Sequence, residues 1–317
     1  MGLFARWMGY GTTSTKDRYT TAERAIGFVD ITRPILAMMG PLIAGAGAVL
    51  SIKGFPPLDK CILGSLAVLI ATFGIHAFND WADRKRDKLV WPNRPIPAKR
   101  VKESEALLYS IILFVIALFI SWIVFNTTTF IILLIALILG CIYSIYLRDR
   151  IGYLTLPPII GLFPIGGWAA FSPQTLFSNP LPWVLYLLGL LWQAGHIMVY
   201  SPVHPVQKVK EKLRTEVPAL FFVPSPKSAS ILGVVFLFLT WIVSIALYFA
   251  TNLTYVYLII AVLSGLMAVS AGIRLIQDPI NKKRALLAFN VASLYEMLLF
   301  GGILLDSFLY KVVLKGG

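Results

Sequence analysis

Nine apolar runs of roughly twenty residues constrain this chain more than anything else in it. They cover 34–52, 61–80, 104–125, 128–147, 152–171, 181–201, 228–250, 254–274 and 285–309. A helix needs about 20 apolar residues to cross the hydrocarbon core of a bilayer. A chain of 317 residues, 58% hydrophobic and 14% charged, is too apolar for a soluble domain. The expected fold class is all-α, a polytopic membrane helical bundle of about nine transmembrane helices. The fifth run carries Pro157, Pro158 and Pro164, which membrane helices tolerate where neighbours or waters satisfy the freed backbone. Gly45-Ala46-Gly47 reads as close helix packing through small residues. Cys61 and Cys141 lie inside apolar runs and read as small buried hydrophobes.

The net charge of +13 invites a nucleic-acid partner, but its placement argues against one. Of 28 Lys and Arg residues, 24 precede the first run or follow the second, fourth, sixth and eighth. Lys53, Lys60, Lys311 and Lys315 fall on the other face, and the connections after the third, fifth and seventh runs hold neither residue type. The positive-inside rule then puts the N-terminus in the cytoplasm and the C-terminus on the opposite side. Residues 1–30 read as a cytoplasmic N-terminal segment, partly disordered. Within it, Thr21 to Ile31 reads as a short interfacial helix opened by the capping pattern Thr20-Thr21-Ala22-Glu23.

The second run ends in a dense block of charge, Asn79-Asp80-Trp81-Ala82-Asp83-Arg84-Lys85-Arg86-Asp87. If the helix continues through it, spacings of three and four put Asp80, Asp83 and Asp87 on one face. Carboxylates gain nothing from the negative end of a helix and repel one another, so a positive partner is expected between them. One reading is local pairing, Asp80 with Arg84 and Asp83 with Arg84 or Lys85. The other is a hard-cation site, since Mg²⁺ takes oxygen ligands and is often held by one or two carboxylates plus substrate phosphates. The following loop, Trp91-Pro92-Asn93-Arg94-Pro95-Ile96-Pro97, is stiffened by three prolines. It holds Arg94 near the aspartates, where a guanidinium can fork onto a phosphate.

The even-numbered runs all end on the cytoplasmic side, and their ends carry the other unusual polar residues. These include His76 at the end of the second, Tyr143, Tyr146 and Arg148 at the end of the fourth, and Gln193, His196, Tyr200 and His204 at the end of the sixth. Buried ionisable groups in membranes usually face a bundle interior, although Arg148 taken alone reads sooner as an interfacial anchor, and His196 reads equally as a packed core histidine. His196, Tyr200, His204, Lys208 and Lys212 recur every four residues. An unbroken helix would align them in one stripe facing the aspartates, with Pro202 and Pro205 expected to disturb it. No two histidines share a helical face with an aspartate at zinc-ligand spacing.

The spaced aspartates of 79–87, followed by Arg94-Pro95-Ile96-Pro97, resemble the first aspartate-rich motif and loop of the UbiA-type intramembrane prenyltransferases. Arg33-Pro34 at the first run, Tyr143-Ser144 in the fourth and the nine-span count extend the resemblance over roughly 30–310. It implies a helical bundle around a central cavity open to the bilayer, with the domain at 31–312. It further implies that Mg²⁺ bridges the aspartates and the diphosphate of a polyprenyl donor. The diphosphate leaves, and a lipophilic acceptor attacks the allylic carbocation. Asp80, Asp83 and Asp87 would be catalytic and, with Asn79, would hold the metal. Arg94, Arg148, His204, Lys208, Tyr143, His196 and Tyr200 would bind substrate. The expected partners are polyprenyl diphosphate, the acceptor and membrane lipid, with no nucleic acid.

The chain departs from the family at its second aspartate motif. In the corresponding stretch, 201–210 contains no carboxylate, and His204 and Lys208 stand where the aspartates would be. One Mg²⁺ rather than two is therefore expected, with Lys208 serving as a fixed charge on the diphosphate. The expected function is transfer of a polyprenyl group to a quinone precursor, a glycerophosphate ether lipid or a tetrapyrrole. Cyclisation, or a non-catalytic lipid-binding role on the same scaffold, stands as the alternative. A transporter would show paired broken helices in related halves, and only the fifth and sixth runs carry suggestive prolines.

Overall fold

In the computed structural model of the protein, residues 18–204 and 225–309 are described. Nine helices among them are long and apolar enough to cross a membrane: α1 (Thr21–Ser51), α2 (Leu58–Val90), α3 (Glu103–Val124), α4 (Thr127–Arg150), α5 (Tyr153–Phe171), α6 (Leu181–Val203), α7 (Pro226–Ala250), α8 (Tyr255–Ile276) and α9 (Lys282–Leu309). No strand occurs among the described residues. Each expected run is a helix, with ends shifted by a few residues. The larger extensions are at α1, which begins thirteen residues earlier than its run, and α2.

α1 opens as the sequence suggests. Thr20 Oγ1 accepts from the Glu23 amide at 3.2 Å, and the Glu23 carboxylate accepts from the Thr20 amide at 2.9 Å. The helix runs through the boundary expected at residue 30 and breaks at Arg33, whose φ of 48° is left-handed. Pro34 follows, and a residue before proline is pushed out of the right-handed helix. A non-glycine residue held there costs of order 1 kcal/mol or more. The break turns the Arg33 side chain onto α2. α1 is also fastened to the loop after α2. A Cβ on Gly27 would meet Val101 at 2.9 Å, and buried Asp30 accepts from buried Arg100 at 2.6 Å. The segment is thus packed on protein as well as helical.

α2 has 33 residues and is about 50 Å long, well beyond the roughly 30 Å hydrocarbon core. Its last three turns are the charged block. α5 is broken, as its prolines predict, into a 3₁₀ turn at Tyr153–Thr155 and helices at Pro157–Ile160 and Leu162–Phe171. It meets α1 backbone to backbone. A Cβ on Gly47 would collide with the Pro164 carbonyl, and one on Gly167 with the Ala44 carbonyl. Small-residue packing at Gly45-Ala46-Gly47 is therefore what the bundle uses. Outward faces are apolar, as lipid requires: on α3, Leu108, Ile111, Val115, Phe119 and Trp122 are all exposed.

α6 and α9 run antiparallel through the centre. The Trp192 indole donates to the Ala292 carbonyl at 2.8 Å, which sets the register of the pair. The main apolar core gathers around this seam, with Leu185, Leu188, Trp192, Leu299, Phe300 and Ile303 among its members.

Candidate functional site

The helix of α2 does continue through the charged block, and Asp80, Asp83 and Asp87 share its inward face, each 4% exposed or less. Their partners are not the adjacent ones that local pairing would use. Arg84 instead donates to Glu103 at 2.8 Å and lies over the Trp81 ring at 4.7 Å. The buried carboxylates are met by guanidiniums from three other elements. Arg33, turned inward by the break in α1, pairs with Asp80. Arg94 donates to Asp87 at 2.7 Å and stands 3.6 Å from Asp80. Arg148 forks onto both oxygens of Asp83, the Nη1 bond being 2.9 Å. Arg86 adds a contact of 2.5 Å to Asp83 from the same helix. Arg148 is 3% exposed, so it is no interfacial anchor.

Local backbone explains the reach of Arg148. α4 widens into a π-helical turn over Tyr143–Leu147, a feature that occurs mostly at functional sites. Arg148 follows directly, bonding back to the Ser144 carbonyl at 3.0 Å. With its amide oriented to suit its neighbours, Asn79 donates to Asp83 at 3.2 Å. In the same orientation it accepts from Ser144 at 3.2 Å and Arg148 at 2.8 Å. Tyr143 is buried beside this knot, with the Arg148 guanidinium 5.7 Å from its ring centre.

Arg94 is constrained as its prolines imply. It lies over the Trp91 ring at 5.4 Å, and its loop folds back through the bonds Arg100 N to Pro95 O (2.9 Å) and Ala98 N to Arg94 O (2.9 Å). Burial alone would lower its pKa, but Asp87, Asp80 and Asp83 hold it above its ordinary value.

The stripe on α6 survives in altered form. The helix gives way to a 3₁₀ turn at Ser201–Val203, and His204 is extended. The rings remain in sequence: His204 sits 5.6 Å from Tyr200, Tyr200 4.8 Å from Phe289, and Phe289 4.1 Å from His196, which stacks on Trp192 at 4.8 Å. Tyr153 of α5 flanks His204 at 5.8 Å. Burial lowers the His204 pKa to about 4, helped by Arg86, Arg94 and Arg148 and opposed by Asp83. Lys208 and Lys212 lie outside the described residues.

Among the described residues, no three His, Cys, Asp or Glu side chains stand already arranged around one metal position, because guanidiniums lie between the carboxylates. One donor is nevertheless spare. Asp87 Oδ1 is buried and has no hydrogen-bond partner. A buried anionic oxygen in an all-oxygen donor set has the chemistry of a hard-cation ligand, so these residues fit a magnesium-type ion. Arg33 and Arg86, which complete the charge ring, were not among the residues expected from the sequence. The only signal for Arg33 was its place before Pro34.

Residues 38–294 match the model of the UbiA prenyltransferase family. The chain is 28% identical over 254 residues to digeranylgeranylglyceryl phosphate synthase of Methanosphaera stadtmanae, covering 79% of this chain and 88% of that one. It is 26% identical over 293 residues to protoheme IX farnesyltransferase of Saccharophagus degradans, covering 89% and 92%. A solved UbiA homolog from Archaeoglobus fulgidus, bound to GPP and Mg²⁺, superposes with a TM-score of 0.63 at 17% identity, covering 87% of this chain and 99% of that one.

Proposed function

The chain belongs to the UbiA prenyltransferase family, and from that premise we propose that it transfers a polyprenyl group from its diphosphate to a lipophilic acceptor within the membrane. The observation that carries this reading is the inward face of α2: three buried carboxylates, one oxygen to spare, ringed by guanidiniums from three other elements. Among its matched relatives are a farnesyltransferase and an octaprenyltransferase by name, which favours transfer over cyclisation or a non-catalytic role.

Asp80, Asp83 and Asp87, with Asn79, are the residues that would hold Mg²⁺, the ion bound by the Archaeoglobus fulgidus homolog. We assign one ion, because 201–210 supplies no carboxylate for a second. When bound, Mg²⁺ supplies positive charge against the diphosphate. Arg94 and Arg148 present planar forks suited to phosphate oxygens, and Lys208 is assigned on sequence grounds as a further fixed charge. The bond between the allylic carbon and the diphosphate oxygen breaks, and its electron pair leaves with the oxygen. Donors fixed in advance around that oxygen stabilise it as charge develops. The acceptor's electrons form the new bond to carbon, and the acceptor loses a proton. The ring series from His204 through Tyr200, Phe289 and His196 to Trp192 lines the prenyl path, keeps water from the cation and offers it π faces. The cytoplasmic side is the assigned location of this end, from the distribution of Lys and Arg.

The test is calorimetric binding of geranylgeranyl diphosphate to solubilised protein with and without Mg²⁺, followed by assay of diphosphate release. Mg²⁺-dependent binding with release is the expected result. Absence of binding in protein shown to be folded would overturn the proposal.

A further inference from the structure

α2 carries an imidazole that the acidic cluster does not use. His76 stands four residues before Asp80, on the inward face that continues through Asp83 and Asp87. One turn deeper, Thr72 is closed off by protein: a Cβ on Gly40 of α1 would meet its hydroxyl at 2.8 Å and Phe163 of α5 at 2.9 Å. On the α4 side, a Cβ on Gly140 would meet Ile75 at 2.7 Å. Thr72 and Asp80 are buried, yet His76 between them is only half-buried, so its ring borders an opening between α1, α4 and α5. It makes no hydrogen bond, ion pair or ring contact among the described residues. The charges that reach it are those of Arg33 and Arg94, the two guanidiniums that flank Asp80.

Prenyl transfer leaves one proton to be placed. The allylic carbon is one bond from the diphosphate, and the attacking acceptor atom stands about 3–3.5 Å from that carbon. Whatever takes the acceptor's proton therefore lies within about one helical turn of the carboxylates, on their hydrocarbon side. His76 is about 6 Å from Asp80 along the axis, and the Asp80 side chain leans back over that turn. The other inward bases are engaged. Asp80, Asp83 and Asp87 are each met by a guanidinium. His196 is stacked between Trp192 and Phe289, and His204 packs on Tyr153 and Tyr200. We propose that His76 is a further catalytic residue, the base that takes the acceptor's proton. The acceptor's electron pair forms the bond to the allylic carbon, its bond to hydrogen breaks, and the proton passes to the unprotonated ring nitrogen. The imidazolium so formed faces the departing diphosphate, whose negative charge stabilises it, and gives the proton up to water once the diphosphate has left. This rests on the prenyltransferase reading and goes beyond it in naming the recipient of the proton.

The experiment compares wild-type protein, H76N and H76A in detergent. Each is titrated with geranylgeranyl diphosphate plus Mg²⁺. Transfer is then assayed with geranylgeranylglyceryl phosphate and with 4-hydroxybenzoate as acceptor probes, and H76A is assayed again with added imidazole. All three proteins should bind the diphosphate alike. Both variants should form prenylated product about 10²-fold more slowly, the lower end of what a positioned base contributes. Free imidazole should recover about tenfold of that loss in H76A, and none in H76N, whose side chain fills the space. Full transfer by H76N, which keeps volume and hydrogen bonding without a base, overturns the proposal. Failure of imidazole to restore H76A overturns it as well, and so does weaker diphosphate binding by H76N, which would make His76 a binding group. Wild type that binds the diphosphate but prenylates neither probe also overturns it, since no acceptor proton is then lost. Failure of wild type to bind the diphosphate would instead remove the prenyltransferase reading.

Discussion

Asp87 and Asp306 are both 1% exposed, and they stand at opposite ends of the bundle. Asp306, near the end of α9, accepts from the Thr254 amide at 2.9 Å, from the Thr254 hydroxyl and from the Tyr257 amide at 3.2 Å. All of its donors belong to the N-cap and first turn of α8, where an anion meets both free N–H groups and the positive end of the helix. Asp87 has one guanidinium on Oδ2 and nothing on Oδ1. Around it, Arg33 Nε and Arg86 Nε are also buried and unpartnered. The same side chain, equally buried, is fully satisfied at one end and under-satisfied at the other. The difference separates a carboxylate that holds a helix start from one prepared to receive a ligand.

The largest expected effect breaks the comparison on the functional side. Asp87→Asn keeps the shape and leaves Arg94 beside Asp80. It should lower diphosphate release by about 10²-fold or more, the scale of losing one group that stabilises developing charge, while Tm moves little. Undiminished release by D87N would place the functional oxygen elsewhere. Asp306→Asn is the mirror experiment and should leave release intact.

Next in size is Arg148→Met. It strips both forked bonds from Asp83 and leaves a buried charge with Arg86 as its remaining cation. Removing one member of a buried pair costs about 3–5 kcal/mol, to be read by chemical denaturation. A loss below about 1 kcal/mol would mean that Asp83 is not dependent on the pair. Asp306→Ala follows, at about 2 kcal/mol, because the α8 start then holds buried donors without an acceptor. Its effect should appear in unfolding and not in diphosphate binding.

How far the sequence could be read follows from the range of each interaction. The nine spans were legible because bilayer thickness imposes a run length that any local window detects. Burial of the aspartates on one face of α2 followed from spacing alone, and the position of Arg94 from three prolines within six residues. Partner choice was not legible. Asp80 takes Arg33, 47 residues earlier, and Asp83 takes Arg148, 65 residues later. Neither pairing leaves a mark in neighbouring sequence, and the π-helical turn that aims Arg148 has no local signature in Tyr143–Leu147. Glu296 and Asp306 are both single carboxylates in one apolar run. Only tertiary contacts tell that Asp306 caps the start of a helix.

Arg84 gives the smallest expected effect and the sharpest contrast with Arg148. Sequence proximity makes Arg84 the natural partner of Asp80 and Asp83, yet its guanidinium turns away, to the exposed carboxylate of Glu103 and the ring of Trp81. An exposed ion pair is worth about 0–1 kcal/mol, and an exposed cation–π contact about 0.5–1 kcal/mol. The two share one side chain, so Arg84→Ala should cost about 1 kcal/mol or less, and that loss should shrink further as salt screens the Glu103 pair. Diphosphate binding should be unchanged. A loss of diphosphate release comparable to that of D87N would mean that Arg84 reaches the carboxylates in the working protein. The ring of cations would then be local after all, and the long-range pairings of Arg33 and Arg148 would lose their claim to define the site.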